Sequence, residues 1–146
     1  MRITVENPAE WIAKLLPTLM RANAEETGFG FELAPDVDAY QRMYELGIVF
    51  GVLARDGDKP VGYCTVVVTS HAHNPAIVTA SNDALFVDKA YRKGLTAGRL
   101  IKAVEREAKE RGAVRMTWHC RAGTPLAEVM QAHGYEPADI VVMKEI

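Results

Sequence analysis

The stretch LFVDKAYRKGLTAGRLIKAVEREAKERG, residues 85–112, constrains the fold more than any other part of this 146-residue chain. Leu85, Phe86 and Val87 read as the end of a buried strand, and a basic, glycine-containing turn leads from them into an amphipathic helix. In that helix Leu100, Ile101, Val104 and Ala108 recur at three- and four-residue spacing and form one apolar stripe. The opposite face is charged, with Glu105 and Lys109, Arg106 and Glu110, and Glu107 and Arg111 at i,i+4, each pair worth roughly 0.2–0.5 kcal/mol. Thr96 offers a hydroxyl to cap the helix start, and Gly112 ends it. The first N–H groups of such a helix have no internal acceptors and lie at the positive end of its dipole. Between Asp88 and Glu105 every charged side chain is basic: Lys89, Arg92, Lys93, Arg99 and Lys102. The junction suits a polyanionic ligand, although a solvated connector has the same ingredients, and spacing leaves both readings open.

Composition sets the outer limits. At 49% hydrophobic residues the chain can bury roughly two-thirds of its unfolded surface, which predicts one domain over residues 1–146. A formal charge of −2 argues against a dedicated nucleic-acid binder, whose basic excess must meet a phosphate backbone. The basic turn is therefore a local patch. Cys64 and Cys120 are too few for a disulfide framework and read as reduced thiols. No apolar run reaches the length of a membrane span and the opening MRITVENPAE is no signal peptide, so no membrane partner and a cytoplasmic location are expected.

Read along its length, the chain alternates strands and helices. Residues 2–5 form a short strand. Pro8 starts a helix carrying Trp11, Leu15, Leu16 and Leu19 to about Ala24, with a kink expected at Pro17. Residues 27–35 read as an irregular loop. Asp36 caps a second helix with Val37, Tyr40, Met43 and Tyr44, closed by Gly47. Strands at 48–55 and 61–70 flank the turn DGDKP. Residues 71–76 connect to a strand at 77–87, and the helix after it is followed by a strand at 114–119, a helix at 124–133 and a closing strand at 141–146. Hairpins first and a strand–helix–strand unit later predict an α/β sandwich with a mixed, mostly antiparallel sheet. Neither G-x-G-x-x-G nor a P-loop is present.

Leu85, Phe86 and Val87, then Tyr91 and the run Arg92-Lys93-Gly94-Leu95-Thr96-Ala97, resemble the acyl-CoA-binding segment of the GNAT N-acetyltransferase superfamily, whose pattern is Arg/Gln-x-x-Gly-x-Gly/Ala. The first and last positions match, with Leu95 where the family usually has glycine and Gly94 one place early. Gly134-Tyr135-Glu136-Pro137 is similar to the family's Gly-Phe/Tyr-x-Pro element. The resemblance runs from about Ile48 onward, and the wording RKGLTAGRLIK with the later GTPL and GYEP is most similar to GNAT-like proteins of tailed bacteriophages. It implies a splay between the strand ending at Val87 and the strand at 114–119, with acetyl-CoA or another acyl-CoA as cofactor. The pantetheine would pair with backbone at Phe86 and Val87, and the diphosphate would sit on the amides from Lys93 through Gly94, Leu95, Thr96 and Ala97 to Gly98, beside Arg92 and Arg99. The implied reaction moves a small acyl group to a primary amine of a small molecule or peptide, polarised by the Val87 N–H. GNAT-like domains are often homodimers.

Such a reaction needs a base, because a lysine-like amine with pKa about 10.4 is nearly all protonated at neutral pH. Asp83 is the leading candidate, four residues before Val87 on one strand and hence on the same face. The other reading makes it a water-exposed bulge residue. His119, at the end of the opposing strand, is second. Aligning Gly134 with the family's glycine puts Met130 where many members carry a proton-donating tyrosine, and Gly123 where a CoA-contacting asparagine is common. Tyr135 reads better as a core ring than as a replacement. Trp11, Phe29 and Phe31 are candidates either for an acceptor pocket or for the core. His71 and His73 lack the further ligands a metal site needs, so no metal is expected. Cys120 and His119, being adjacent, face opposite ways and form no nucleophile pair. A GNAT-fold interaction module without efficient turnover is the alternative to the enzyme.

Overall fold

The computed structural model describes residues 1–146. Five strands form one sheet in chain order: β1 (Arg2–Glu6), β2 (Val49–Asp56), β3 (Lys59–His71), β4 (Asn74–Val87) and β5 (Arg115–Thr117). The first four are antiparallel neighbours, and β5 joins β4 in parallel. The helices are α1 (Ile12–Leu15), α2 (Arg21–Thr27), α3 (Val37–Glu45), α4 (Thr96–Glu110) and α5 (Leu126–Ala132).

Each face of the sheet has its own core. On one, Leu100, Ala103, Val104 and Ala108 of α4 pack on Phe50, Val52, Ala54, Cys64 and Val66. On the other, Trp11, Ile12, Leu15 and Leu19 meet Leu53, Tyr63 and Phe86. Strand alternation explains the division, since Val52 and Leu53 are successive residues on opposite faces. Two glycines let the layers approach. A Cβ at Gly51 would lie 2.6 Å from Trp11 Cζ2, and one at Gly62 would lie 3.2 Å from Leu100 Cδ1.

Several local expectations change. At Pro17 the helix widens into a π turn, Leu16–Met20, which accommodates the missing N–H, and the helical run continues past Ala24 through Thr27 to a left-handed Gly28. Asp36 does cap α3, accepting from the Ala39 N–H at 2.8 Å. Residues 71–76 are not a long connector, because β3 and β4 extend into a hairpin that turns at Ala72 and His73. Leu95, rather than Thr96, is the cap residue of α4, and it gives no side-chain bond. Thr96 is the buried first helical residue. The closing strand at 141–146 does not form, and those residues have no regular structure. A three-residue β5 offers too few ladder positions to hold a strand of that length.

Candidate functional site

β4 and β5 pair over three residues, Thr79, Ala80 and Ser81 against Arg115, Met116 and Thr117, and then part. Buried Asn82 stands at the parting point. Its Oδ1 accepts from the His119 N–H at 2.6 Å and its Nδ2 donates to the His119 carbonyl at 3.4 Å. The side-chain amide thus supplies one more rung where the backbones have separated. Beyond it, on the side away from β3, β4 has no strand beside it as far as Val87. The Asp88 N–H donates to Val61 O at 2.8 Å. Ladder bonds fall on alternate residues, so the N–H of Val87 points the other way, into the gap. The Val87 carbonyl accepts from Arg92 Nε at 2.8 Å.

A bulge in β4 decides where Asp83 points. Thr65 opposes Ala84 and Val66 opposes Asn82, leaving Asp83 unpaired between them. The extra residue breaks the alternation. Val87 therefore faces the α4 core while Asp83 faces α3, which corrects the expectation that the two share a face. Asp83 Oδ2 accepts from Tyr40 Oη at 2.6 Å and from Thr65 Oγ1 at 3.1 Å, while Oδ1 has no hydrogen-bond partner in the chain; Asp83 is an exposed bulge residue at the edge of the cavity, so both sequence readings of it meet here. Burial, reinforced by the bond to Asp83, pushes the Tyr40 phenol well above the usual tyrosine range, so it remains a donor. Buried Tyr63 is likewise pushed up to about 12, chiefly by desolvation, and its oxygen accepts from Asn23 Nδ2 at 3.0 Å.

The turn before α4 is open on its backbone side. None of the N–H groups from Lys93 to Gly98 has an acceptor in hydrogen-bonding geometry. Lys93, Gly94, Leu95 and Arg99 are exposed, and Ala97 is half-buried. Gly98 is tighter, since a Cβ there would lie 3.2 Å from His133 Cε1. Arg92 is held elsewhere. Its two terminal nitrogens donate to Glu26 at 2.9 and 2.8 Å, and its guanidinium lies 5.2 Å above the Phe86 ring. The Arg92 bond keeps the Glu26 carboxyl below the ordinary glutamate value, against the opposing pull of desolvation.

Between these features lies a cavity of about 720 Å³. Phe29, Leu33, Tyr40, Tyr63 and Phe86 supply much of its apolar wall, with Glu32, Asp83 and His119 as polar edges. Arg121 spans one side, donating to the Gly28 carbonyl at 3.2 Å. The structure brings Asp83, His119, Phe86, Val87, Arg92 and Ala97 together around this space. Trp11 is not among them. It is buried in the core against Tyr63, ring centroids 5.7 Å apart, and Phe31 is largely exposed beside Phe29. Tyr135 points to α4, donating to Glu105 at 2.7 Å, and Met130 is buried. Both cysteines are free. No group of three or more His, Cys, Asp or Glu side chains is placed to hold a metal, and no helix is long and apolar enough to cross a membrane.

Four residues around the site were not anticipated: Asn82, Thr65, Tyr40 and Glu26. The polar run Ser81-Asn82-Asp83 inside an apolar strand was the available signal for the first. Nothing local marks the others, which reach the site across sequence separations of 18 to 66 residues.

A sequence profile described as Acetyltransferase (GNAT) family matches residues 16–135. No curated protein sequence matches the chain. Among solved structures, an aminoglycoside acetyltransferase from an uncultured soil metagenomic sample, in complex with trehalose, is similar with TM-score 0.74 and 17% identity, covering 99% of this chain and 93% of that one. An aminoglycoside N-acetyltransferase in complex with CoA gives 0.73 and 16%, covering 99% and 98%. A ribosomal-protein-alanine N-acetyltransferase from Brucella melitensis biovar Abortus 2308 gives 0.69 and 16%, covering 100% and 99%. At these identities the likeness is one of fold.

Proposed function

Because the chain belongs to the Acetyltransferase (GNAT) family, we propose that it moves an acetyl or other small acyl group from acyl-CoA to a primary amine held in the cavity against Asp83. The observation that carries the reading is the open edge of β4 from Asp83 to Val87, lying beside amides from Lys93 to Gly98 that have no acceptor. Bound CoA would supply the activated acyl group as a thioester. The amides from Lys93 to Gly98, with Lys93 and Arg99 beside them, hold the diphosphate. The free edge of β4 at Val87 is offered to the pantetheine amides, with the Phe86 ring lining the cavity beside it and its own backbone turned to β3, and the Val87 N–H polarises the thioester carbonyl. Arg92 reaches the diphosphate by leaving Glu26. Otherwise it braces Val87 through its carbonyl.

Asp83 Oδ1 takes the proton that the acceptor ammonium must lose before attack, and Tyr40 and Thr65 fix the carboxylate by occupying Oδ2. His119 is the second candidate base. The new bond joins amine nitrogen to acyl carbon, and the carbon–sulfur bond breaks. The leaving thiolate takes its proton from water, because Met130 has none to give. The acceptor is a small-molecule or peptide amine, and the carboxylates of Glu32 and Asp83 favour a cationic one.

A second reading, a GNAT-fold binding module with little turnover, is favoured by Met130 and by the commitment of Arg92 to Glu26. Two measurements separate them. Acetyl-CoA at about 100 times its Kd should stabilise the fold by roughly 2.7 kcal/mol, read as a thermal shift. Thiol release against a panel of primary amines then reports transfer. A shift with release supports the enzyme, while a shift without release, or no shift at millimolar acetyl-CoA, leaves the interaction module ahead.

A further inference from the structure

Granted the acyl-transfer reading of the cavity beside Asp83, the walls of that same cavity select among amines. Its charge is nearly balanced. The carboxylates of Glu26, Glu32 and Asp83 line it against the guanidiniums of Arg92 and Arg121. Arg92 cancels Glu26, donating to its two oxygens at 2.9 and 2.8 Å, and Arg121 is tied to the Gly28 carbonyl at 3.2 Å. With His119 neutral, one negative charge is left over, and Asp83 Oδ1 has no partner in the chain. A single ammonium balances that excess. A polycation brings further charges for which the cavity holds no counterion, and a charge taken from water without one is costly.

The rest of the wall is largely aromatic. Tyr40 donates to Asp83 Oδ2 at 2.6 Å, so a ring stands directly beside the carboxylate. Tyr63 on β3 and Phe86 on β4 line the cavity with ring centroids 6.4 Å apart, and Phe29 joins them from the loop after α2. Phe29 is 47% exposed although it lines the cavity, so its ring keeps apolar surface for a ligand. The ring hydroxyls are mostly committed, Tyr40 to Asp83 and Tyr63 to Asn23 Nδ2, from which it accepts at 3.0 Å. A ligand rich in hydroxyls and amines would therefore leave its own polar groups unpaired against these walls. Aromatic rings set at an angle to one another favour a further aromatic group between them. Size points the same way. The cavity of about 720 Å³ includes the β4–β5 gap, where Ala97, Leu126 and Val129 line it and pantetheine would run, so the share left for the acceptor suits a compact molecule.

We propose that the acceptor is a small arylalkylamine, one primary amine joined by a short chain to an aromatic ring, with its ammonium on Asp83 and its ring among Phe29, Tyr40, Tyr63 and Phe86. On acylation the new bond joins nitrogen to the acyl carbon and the carbon–sulfur bond breaks. The ammonium gives up two protons, of which one ends on the thiol of CoA and the other in solvent. The product amide is neutral, so it loses its attraction to Asp83 and leaves.

Thiol release from acetyl-CoA, with phenethylamine, spermidine, kanamycin and the dipeptide Phe-Gly as acceptors, ranks the classes. The kcat/KM for phenethylamine should exceed that of each of the others by roughly tenfold or more. Phe29→Ala, on an exposed loop, should raise the KM for phenethylamine roughly tenfold and leave that for propylamine nearly unchanged. Calorimetry with phenethylamine in the presence of CoA reads acceptor binding without turnover. Saturable binding without transfer upholds the acceptor class and removes the enzyme reading. Absence of saturable binding overturns the acceptor class, even where acetyl-CoA stabilises the fold. A kcat/KM for spermidine, kanamycin or Phe-Gly that equals or exceeds the phenethylamine value overturns it too, as does a phenethylamine KM unchanged in Phe29→Ala.

Discussion

The two faces of the sheet are built from the same strands and used in opposite ways. On the α4 face Leu100, Val104 and Ala108 close against β2 and β3 with near-complete burial. On the other face Trp11, Ile12 and Leu15 fill the half near β2, and the half near β4 is left as a cavity ringed by Tyr40, Tyr63, Asp83 and Phe86. One side of each strand thus supplies stability while the other carries a polar site. A substitution on one face should therefore cost folding, and one on the other should cost chemistry.

The sharpest separation is expected at Asp83. Replacing it with Asn keeps its shape and an acceptor for Tyr40 but removes the base. The rate constant kcat/KM for amine acylation should fall roughly 10²–10⁴-fold, with the thermal midpoint nearly unchanged. An unaltered pH–rate profile would take the base role from Asp83 and leave His119→Ala as the next test. Leu100→Ala on the α4 face is the mirror experiment. Leu100 is fully buried, so the loss should be about 2–5 kcal/mol in denaturant unfolding, with acetyl-CoA still able to stabilise whatever remains folded.

Asn82 joins the two regimes, being buried with the α4-side residues of β4 while bonded to the backbone of His119. Asn82→Ala removes a donor and an acceptor together and exposes the split between the strands. Unfolding should lose about 1–3 kcal/mol, and activity should fall further than that loss of folded protein accounts for. Normal turnover in the folded variant would make the clamp purely structural.

The contrast also explains what could be read from sequence. The α4 side is local: a strand, a turn and a 3.6-residue stripe lie within residues 85–112, and the helix and its buried face follow from neighbours, although the cap expected from Thr96 does not form and Leu95 takes that place without a side-chain bond. The Asp36 cap and the turns at Gly47 and Gly57 are local in the same way. The acceptor side is not. A one-residue bulge at Asp83 inverts the facing inferred from strict alternation, and that bulge is set by how Thr65 and Val66 register across the hairpin. Tyr40 and Glu26 arrive from helices whose position no spacing encodes. Trp11 was ambiguous because a pocket wall and a core use the same aromatic ring. The choice was made by Gly51, whose missing Cβ opens the place the indole occupies. The closing strand expected at 141–146 does not form, because an apolar run specifies a strand only when a partner edge is there to pair with it, and β5 is too short to provide one within the chain.

The smallest expected effect lies at the rim, where Glu26 and Arg92 connect the acceptor helix to the donor turn. Both side chains are partly exposed, so the pair contributes little to stability, about 0–1 kcal/mol. Its direction with pH is nonetheless fixed. The Arg92 bond holds the Glu26 pKa in the folded state below the ordinary glutamate value, so the stabilisation is present above that ordinary value and disappears as the pH falls through the lower, folded one. In Glu26→Gln this part of the acid dependence should vanish. The same substitution releases Arg92 for the diphosphate at neutral pH, so the Kd for CoA, measured by calorimetry, should tighten several-fold. A weaker Kd instead would mean that Arg92 serves the site from its place against Glu26, by holding the Val87 carbonyl and with it the orientation of the Val87 N–H. In that case the ion pair belongs to the donor side of the comparison, and the division between the faces runs through α2 and not around it.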